Sequence, residues 1–398
     1  MERRRFIHLL GGGIVTAAAT TSTVGCSAAF PDEAIEAWRG PGSNLAQDPR
    51  RQAIAYAVLA PNPHNRQPWL VDLREDNAIT LYCDAKRLLE ETDPFGRQIL
   101  IGHGAFIELL VLALRQQKIE TEIKLWPNGE LGQNLAQWQT DATQKPVARI
   151  MLSGKNETLT ADPLFAQVLK RHTPKVDYDV TQPVSLDTLK QLIAATSVAT
   201  NVRTNGTIDK TQLAELRDIC QASAKIEIDT PRTMMESIRL IRVGPSEILQ
   251  HRDGISINTT MVRTLTAFGL FDRTAAPQEG SAGYKQALQR FVGHSQTAMG
   301  FVWMTTLGNS RTQQIETGRA YVRQHLKATE LGVGLHPMSQ ALQEFAQMKP
   351  QYERVHQTLR GIEDSTSQPA TVQMLCRLGY TKGDIAATPR RKLKDFET

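Results

Sequence analysis

Cysteine is scarce in this 398-residue chain: there are four, one of which, Cys26, falls within the first thirty positions. The others, Cys83, Cys220 and Cys376, lie far apart and form no Cys-x-x-Cys pair, which excludes a redox dithiol or a thiolate metal centre. Two readings of them stay open, three buried thiols or one long-range disulfide of an oxidising compartment. Charge of one sign is also in short supply. The formal balance is +5, and Arg3, Arg4 and Arg5 supply three of those charges. With no zinc finger, basic helix or RNA-binding signature, nucleic acid is not an expected partner. Past the first thirty residues no stretch reads as a membrane span. What remains is a composition of 40% apolar and 22% charged residues, that of a soluble globular protein with length for one large or two ordinary domains.

The opening thirty residues read as a targeting segment. "MERRRFIHLLGGGIVTAAATTSTVGCSAAF" has a basic start and a weakly apolar Gly/Ala/Thr run. Its "RRRF" resembles a twin-arginine export signal, a route taken by proteins that fold around a cofactor before export. "TVGC", ending at Cys26, resembles a lipoprotein box with Thr23 where leucine is usual. Cleavage after Ala29, following "SAA", is the competing processing. The expected product is periplasmic or lipid-anchored to the cell envelope.

Strand-like runs are short and mixed with helices: "AITLYC", "IKLWP", "VARIMLS" and "SIRLIRVG". That pattern predicts an α+β fold with mixed or antiparallel sheets between helices. Two segments share a texture, one opening at Gly96-Arg97 and one at Gly318-Arg319, each read as the start of a long helix leading to a strand. "RRQAIAYAVLAPNPHNRQPW" and "LDTLKQLIAATSVATNVRT" form a second pair in the same order. Duplication is the expected origin. The division is a targeting segment over 1–29, a first half over 30–155 and a second over 156–398. Extra material over about 230–306 either covers a site as a lid or enlarges the core.

Four short stretches carry polar chemistry. "APNPHNRQPW", Ala60 to Trp69, stops a helix with proline and then sets hydrogen-bonding side chains in a row. In "RHTPK", Arg171, Thr173 and Lys175 share one face of an extended segment and offer a phosphate two cations and a hydroxyl. "GLHPMSQALQ" is read as a helix end presenting backbone N–H groups and an amide at Ser339 and Gln340. "TPRRKL" sets Arg390 and Arg391 after a proline. No side-chain acid or base is singled out as catalytic, and no metal site is expected.

In this order and spacing, "HNRQPW", "RHTPK", "GLHPMSQ" and "TPRRKL" resemble the nitroreductase superfamily of FMN proteins, and "DPFGRQILIGHGAF" is similar to its Acg-like branch, in which two nitroreductase-like halves share one chain. The likeness runs intermittently from about Arg51 to Phe396. It implies a nitroreductase-like fold that forms an intramolecular pseudo-dimer. It implies that Pro61, Asn62 and Asn65 contact the isoalloxazine ring while Gln67 braces the loop and Trp69 packs it. It assigns Arg171, Thr173, Lys175, Arg390 and Arg391 to the FMN phosphate, and Ser339 and Gln340 to the neighbourhood of flavin N5. The resemblance leaves open which of Arg390 and Arg391 takes the phosphate. The Ser-Gln pair departs from the Glu-Gly often found in members that reduce nitro groups. The loop survives in the first half alone and the cradle in the second alone, so one FMN per chain is implied, with a monomer sufficient. The implied function is an exported FMN oxidoreductase passing electrons through N5 to a small, quinone-like acceptor. The alternative is a protein that stores FMN.

Overall fold

A computed structural model describes residues 29–45, 47–197, 199–362 and 370–398. The export and lipoprotein motifs, from Arg3 to Cys26, lie outside the described residues.

Asp48 accepts a hydrogen bond from the Arg50 N–H and Pro49 fills the first turn, so helix α1 (Pro49–Ala57) starts there. After the Ala60–Pro68 loop the chain forms an antiparallel pair, β1 (Trp69–Asp72) and β2 (Ala78–Cys83), with Trp69 opposite Cys83. Helix α2 (Arg97–Gln116), strand β3 (Ile119–Leu125), helix α3 (Leu135–Gln144) and strand β4 (Ala148–Lys155) follow. The four strands make one antiparallel sheet in the order β1-β2-β4-β3.

The same arrangement then recurs. Helix α4 (Leu186–Ala194) precedes strand β5 (Arg203–Thr207). A long connection over 208–299 carries α5 (Lys210–Asp229), α6 (Pro231–Arg239), β6 (Ile241–Val243), α7 (Gly244–His251), β7 (Ile255–Ile257), α8 (Thr260–Ala267) and α9 (Ala282–Gln296). Strand β8 (Gly300–Thr306), helix α10 (Arg311–Glu330), strand β9 (Gly334–Pro337), helix α11 (Lys349–Ile362) and strand β10 (Thr371–Gly379) complete a second antiparallel sheet, β5-β8-β10-β9. In both sheets the order is first, second, fourth, third. Each has a helix before its first strand and a 20-residue helix between its second and third.

Those two long helices pack together. A Cβ added to Gly104 would lie 2.0 Å from the Ile315 carbonyl oxygen, and one added to Gly318 would lie 1.9 Å from that of Ile101. The contact is reciprocal, and Arg97, Ile101 and Gly104 are spaced as Arg311, Ile315 and Gly318 are. The duplicated register therefore pairs Arg97 with Arg311. Gly318-Arg319 stands in the middle of α10 and does not open it, because Ser310 and Gln313 form a capping box that starts the helix earlier.

Other expectations are corrected. Helix α2 is long and apolar enough to cross a membrane, contrary to the sequence reading, but it is mostly buried as the core helix under the first sheet. Most of "SIRLIRVG" is not strand: Pro231 in the first turn starts α6, which runs to Arg239 and leaves β6 paired in parallel with β7 away from the main sheets. "GLHPMSQ" does not end a helix, since Gly334–Pro337 pairs with β10 as an edge strand. Cys83, Cys220 and Cys376 are buried free thiols.

Candidate functional site

Helix α1 ends beneath the loop that carries Pro61 to Gln67. His64, Asn65 and Gln67 have positive φ, at 47°, 51° and 50°. Three such non-glycine residues within four positions are strained, and the surroundings must hold them. Asn62 does so from within: its Nδ2 donates to the Ala60 carbonyl at 3.1 Å and its Oδ1 accepts from the Gln67 N–H at 2.8 Å. Fully buried Gln67 donates from Nε2 to the Arg252 carbonyl at 2.8 Å and accepts from the Arg391 N–H at 2.9 Å. Asn65 donates to the Pro389 carbonyl at 3.0 Å and accepts from Arg390 Nη1 at 2.7 Å. The amides of the loop thus fasten it to itself, to the connection and to the carboxyl-terminal segment. Pro61 is half-buried on the same loop, and Trp69 packs beneath it against Phe106.

Two arginines from distant segments converge under this loop. Arg171 Nη2 and Arg390 Nη2 donate to the same Leu59 carbonyl, at 2.7 and 3.1 Å, and both guanidinium groups lie over the Trp38 ring, at 5.6 and 5.1 Å. Arg390 Nε also donates to the Val58 carbonyl at 2.9 Å. These carbonyls are the negative end of α1, which offsets part of the repulsion between the cations. Neither arginine pairs with a carboxylate among the described residues. Burial pulls Arg171 down to about 10, and it holds Arg390 well below its ordinary value with Arg171 adding to the effect. Arg390 has its donors engaged, so it contributes charge. Arg171 still has a buried Nε with no partner.

Lys175 continues the extended segment beyond Thr173, whose hydroxyl lies 3.5 Å from Arg171 Nη1. The lysine is open to solvent, yet surrounding protein pulls it down to about 8, chiefly by burial, with Arg290 and Arg390 adding. His64 is lowered to about 4 by burial, then by Lys175 and Arg66. The Nδ1 atoms of His64, His172 and His294 are buried without partners. A cluster of cations with an unpartnered Arg171 Nε and no carboxylate partner for either arginine among the described residues is suited to an anion.

The structure separates the two terminal arginines. Arg390 joins the cluster, whereas Arg391 holds the loop from outside it, donating to the Gln67 and Asp395 carbonyls at 3.1 and 2.6 Å and lying over Phe396 at 4.5 Å. Ser339 follows edge strand β9, where the Met338 N–H is taken by the Leu375 carbonyl at 2.8 Å, and Gln340 begins a 3-10 turn. Here the sequence reading missed a carboxyl group. Glu227 of α5 is buried, accepts from Gln343 Nε2 at 2.9 Å and is also bound by the Gln340 amide. Burial pushes it up to about 7, with nearby Glu236 adding to the shift. Arg290 and His294, on α9, were missed as well. No metal-binding group of three or more His, Cys, Asp or Glu side chains occurs among the described residues.

No family model matches the chain. It is 32% identical over 88 residues to a Mycobacterium tuberculosis protein named NAD(P)H nitroreductase acg, a match spanning 22% of this chain and 26% of that one. A second, uncharacterised protein of the same organism is 22% identical over 175 residues, 42% of this chain and 48% of its own. The matches thus span about a quarter and about half of those relatives' lengths. Among solved structures, an FMN-bound nitroreductase from Bacteroides fragilis aligns over 58% of this chain and 96% of its own at 13% identity, with a TM-score of 0.34. A BluB-like flavoprotein from Clostridium difficile aligns over 60% and 99% at 11% identity, with a TM-score of 0.36. These structures are too distant for residue roles to be carried across.

Proposed function

We propose that the protein is an FMN-binding oxidoreductase of the nitroreductase type, built from two fused halves and exported from the cytoplasm. The observation that carries the reading is the cluster of Arg171, Lys175 and Arg390 beneath the Pro61–Gln67 loop. It has no carboxylate partner among the described residues and has an unpartnered Arg171 Nε. A phosphate monoester supplies the missing counter-charge. The relative named NAD(P)H nitroreductase is in keeping with a redox role for the site.

In this reading Arg171, Thr173 and Lys175 bind the phosphate, and Arg390 adds charge while fixing Asn65. The strained loop, braced by Gln67 and Arg391, supplies a rigid wall for the ring. Bound flavin supplies two-electron chemistry at N5. The segment at Ser339 and Gln340 lines the approach to that atom, and Glu227 behind Gln340 holds a proton near neutral pH. The reciprocal contact of Gly104 and Gly318 supports a duplicated origin in which one chain takes the place of two subunits.

Stopped-flow mixing of the flavin-loaded protein with NADH, NADPH and a quinol tests turnover. Reduction by at least one donor is expected, and reduction by none, with FMN retained, would establish the storage alternative. Export is tested by changing Arg3 and Arg4 to Lys, which should leave precursor in the cytoplasm. Unimpaired export would refute the twin-arginine assignment.

A further inference from the structure

We propose that Asp253 is a positioning residue for the flavin ring: from the 208–299 connection it holds the Pro61–Gln67 loop in the strained form that faces the isoalloxazine. The inference rests on the flavin reading above and gives the connection a task at the site. Loop and connection meet residue by residue. The Gly254 N–H donates to the Asn65 carbonyl at 3.3 Å, Arg66 Nη1 lies 3.5 Å from Asp253 Oδ2, and Gln67 Nε2 donates to the Arg252 carbonyl at 2.8 Å. Three consecutive loop residues thus face the three residues that follow α7. Both partners are strained, the loop at Asn65 and Gln67 and the turn at Arg252, whose φ is 51°. The turn is fixed from behind. Arg252 Nη1 pairs with Glu36 at 2.8 Å, the Ile255 N–H donates to the Leu240 carbonyl at 2.8 Å, and a Cβ added to Gly254 would lie 2.2 Å from that carbonyl oxygen.

Asp253 is buried and joins three arginines from three segments. Its Oδ1 accepts from Arg242 of β6, Nε at 3.1 Å with Nη2 at 3.0 Å, and its Oδ2 accepts from Arg87 Nη1 at 2.7 Å beside Arg66 of the loop. Arg66 and Arg87 are themselves reciprocally bonded, each donating to the other's carbonyl at 3.2 Å. A carboxylate that only anchored the turn to its own element would be satisfied by Arg242. The second oxygen is instead turned to Arg66 and Arg87, across the boundary to the first half. A loop with three non-glycine residues at positive φ keeps that shape only while its surroundings over-determine it. Charge-assisted hydrogen bonds to a buried carboxylate are the strongest of those constraints.

The test compares wild type, Asp253→Asn and Arg66→Gln as cofactor-stripped full chains. Arg66→Gln frees the loop and leaves Asp253 its two other arginines, so it decides the matter should Asp253→Asn fail to fold. Fluorescence titration with FMN and with riboflavin is combined with visible circular dichroism of the saturated complexes and with urea unfolding. Both flavins should be weakened alike, by about tenfold, because they share the ring that the loop faces. The dichroism of the bound flavin should change, and Arg66→Lys should recover part of the loss. A lowered urea midpoint with wild-type affinity and dichroism would overturn the proposal, by showing that Asp253 and Arg66 support folding alone. Weakening of FMN with riboflavin spared would also overturn it, since the effect would then lie at the phosphate. A wild type that binds neither flavin would instead refute the flavin reading itself.

Discussion

Changing Glu227 to Gln should make the protein more stable at alkaline pH and leave it little changed in acid. The carboxyl lies buried on α5, where burial raises it from 4.5 to about 7 and Glu236 adds to the rise, while hydrogen bonds from Gln343 and Gln340 oppose it. Gln343 Nε2 donates to the carboxyl at 2.9 Å, and a glutamine at 227 keeps an acceptor oxygen for it without the charge. Between pH 4.5 and 7 the folded chain therefore keeps a proton that the unfolded chain releases. The stability this group contributes is fully present below 4.5, falls as pH rises and is lost above about 7. A shift of this size corresponds to roughly 3 kcal/mol at 1.36 kcal/mol per unit. Urea unfolding of cofactor-free wild type and Glu227→Gln at pH 5 and pH 8 measures it. The variant should gain on the wild type between the two pH values by about 2–3 kcal/mol. An unchanged difference, or one that moves the other way, would refute the placement of this carboxyl in a dry pocket.

Arg171→Ala should weaken FMN by ~10–150-fold, the equivalent of one hydrogen bond to a charged group at about 1.5–3 kcal/mol. Riboflavin should be spared in fluorescence titrations, and equal losses for both flavins would assign Arg171 to folding. Gly104→Ala and Gly318→Ala should each destabilise the protein by about 1–3 kcal/mol in urea unfolding. The added methyl meets a backbone carbonyl of the facing helix at 2.0 or 1.9 Å. A change in only one of the two would contradict the reciprocal packing.

The parts legible in the sequence are those where one local rule dominates. "AITLYC" alternates and is β2 from end to end. Strands β8 and β10 were missed because almost every residue in them is buried, which removes the alternation and leaves apolar runs that resemble core helix. "SIRLIRVG" misled because its apolar spacing suits either structure and the deciding Pro231 lies upstream. At the site, polar residues set in loops were visible: Asn62, Asn65, Gln67, Arg171 and Lys175 stand out against prolines. Their partners were not, since nothing in the spacing says that Asn62, Asn65 and Gln67 bind their own loop and the terminal segment. Glu227, Arg290 and His294 lie on helices among other charged residues, and only the packing of the 208–299 connection distinguishes them.

The central claim is a single phosphate-binding flavin site, formed where the Pro61–Gln67 loop meets the Arg171–Lys175 segment and Arg390. Its most direct test is to denature protein purified with its cofactor and measure released FMN against protein chains. The account predicts a ratio near one, in monomeric protein as well as in any oligomer. Colourless protein that takes up no FMN, or a ratio near two, would contradict it.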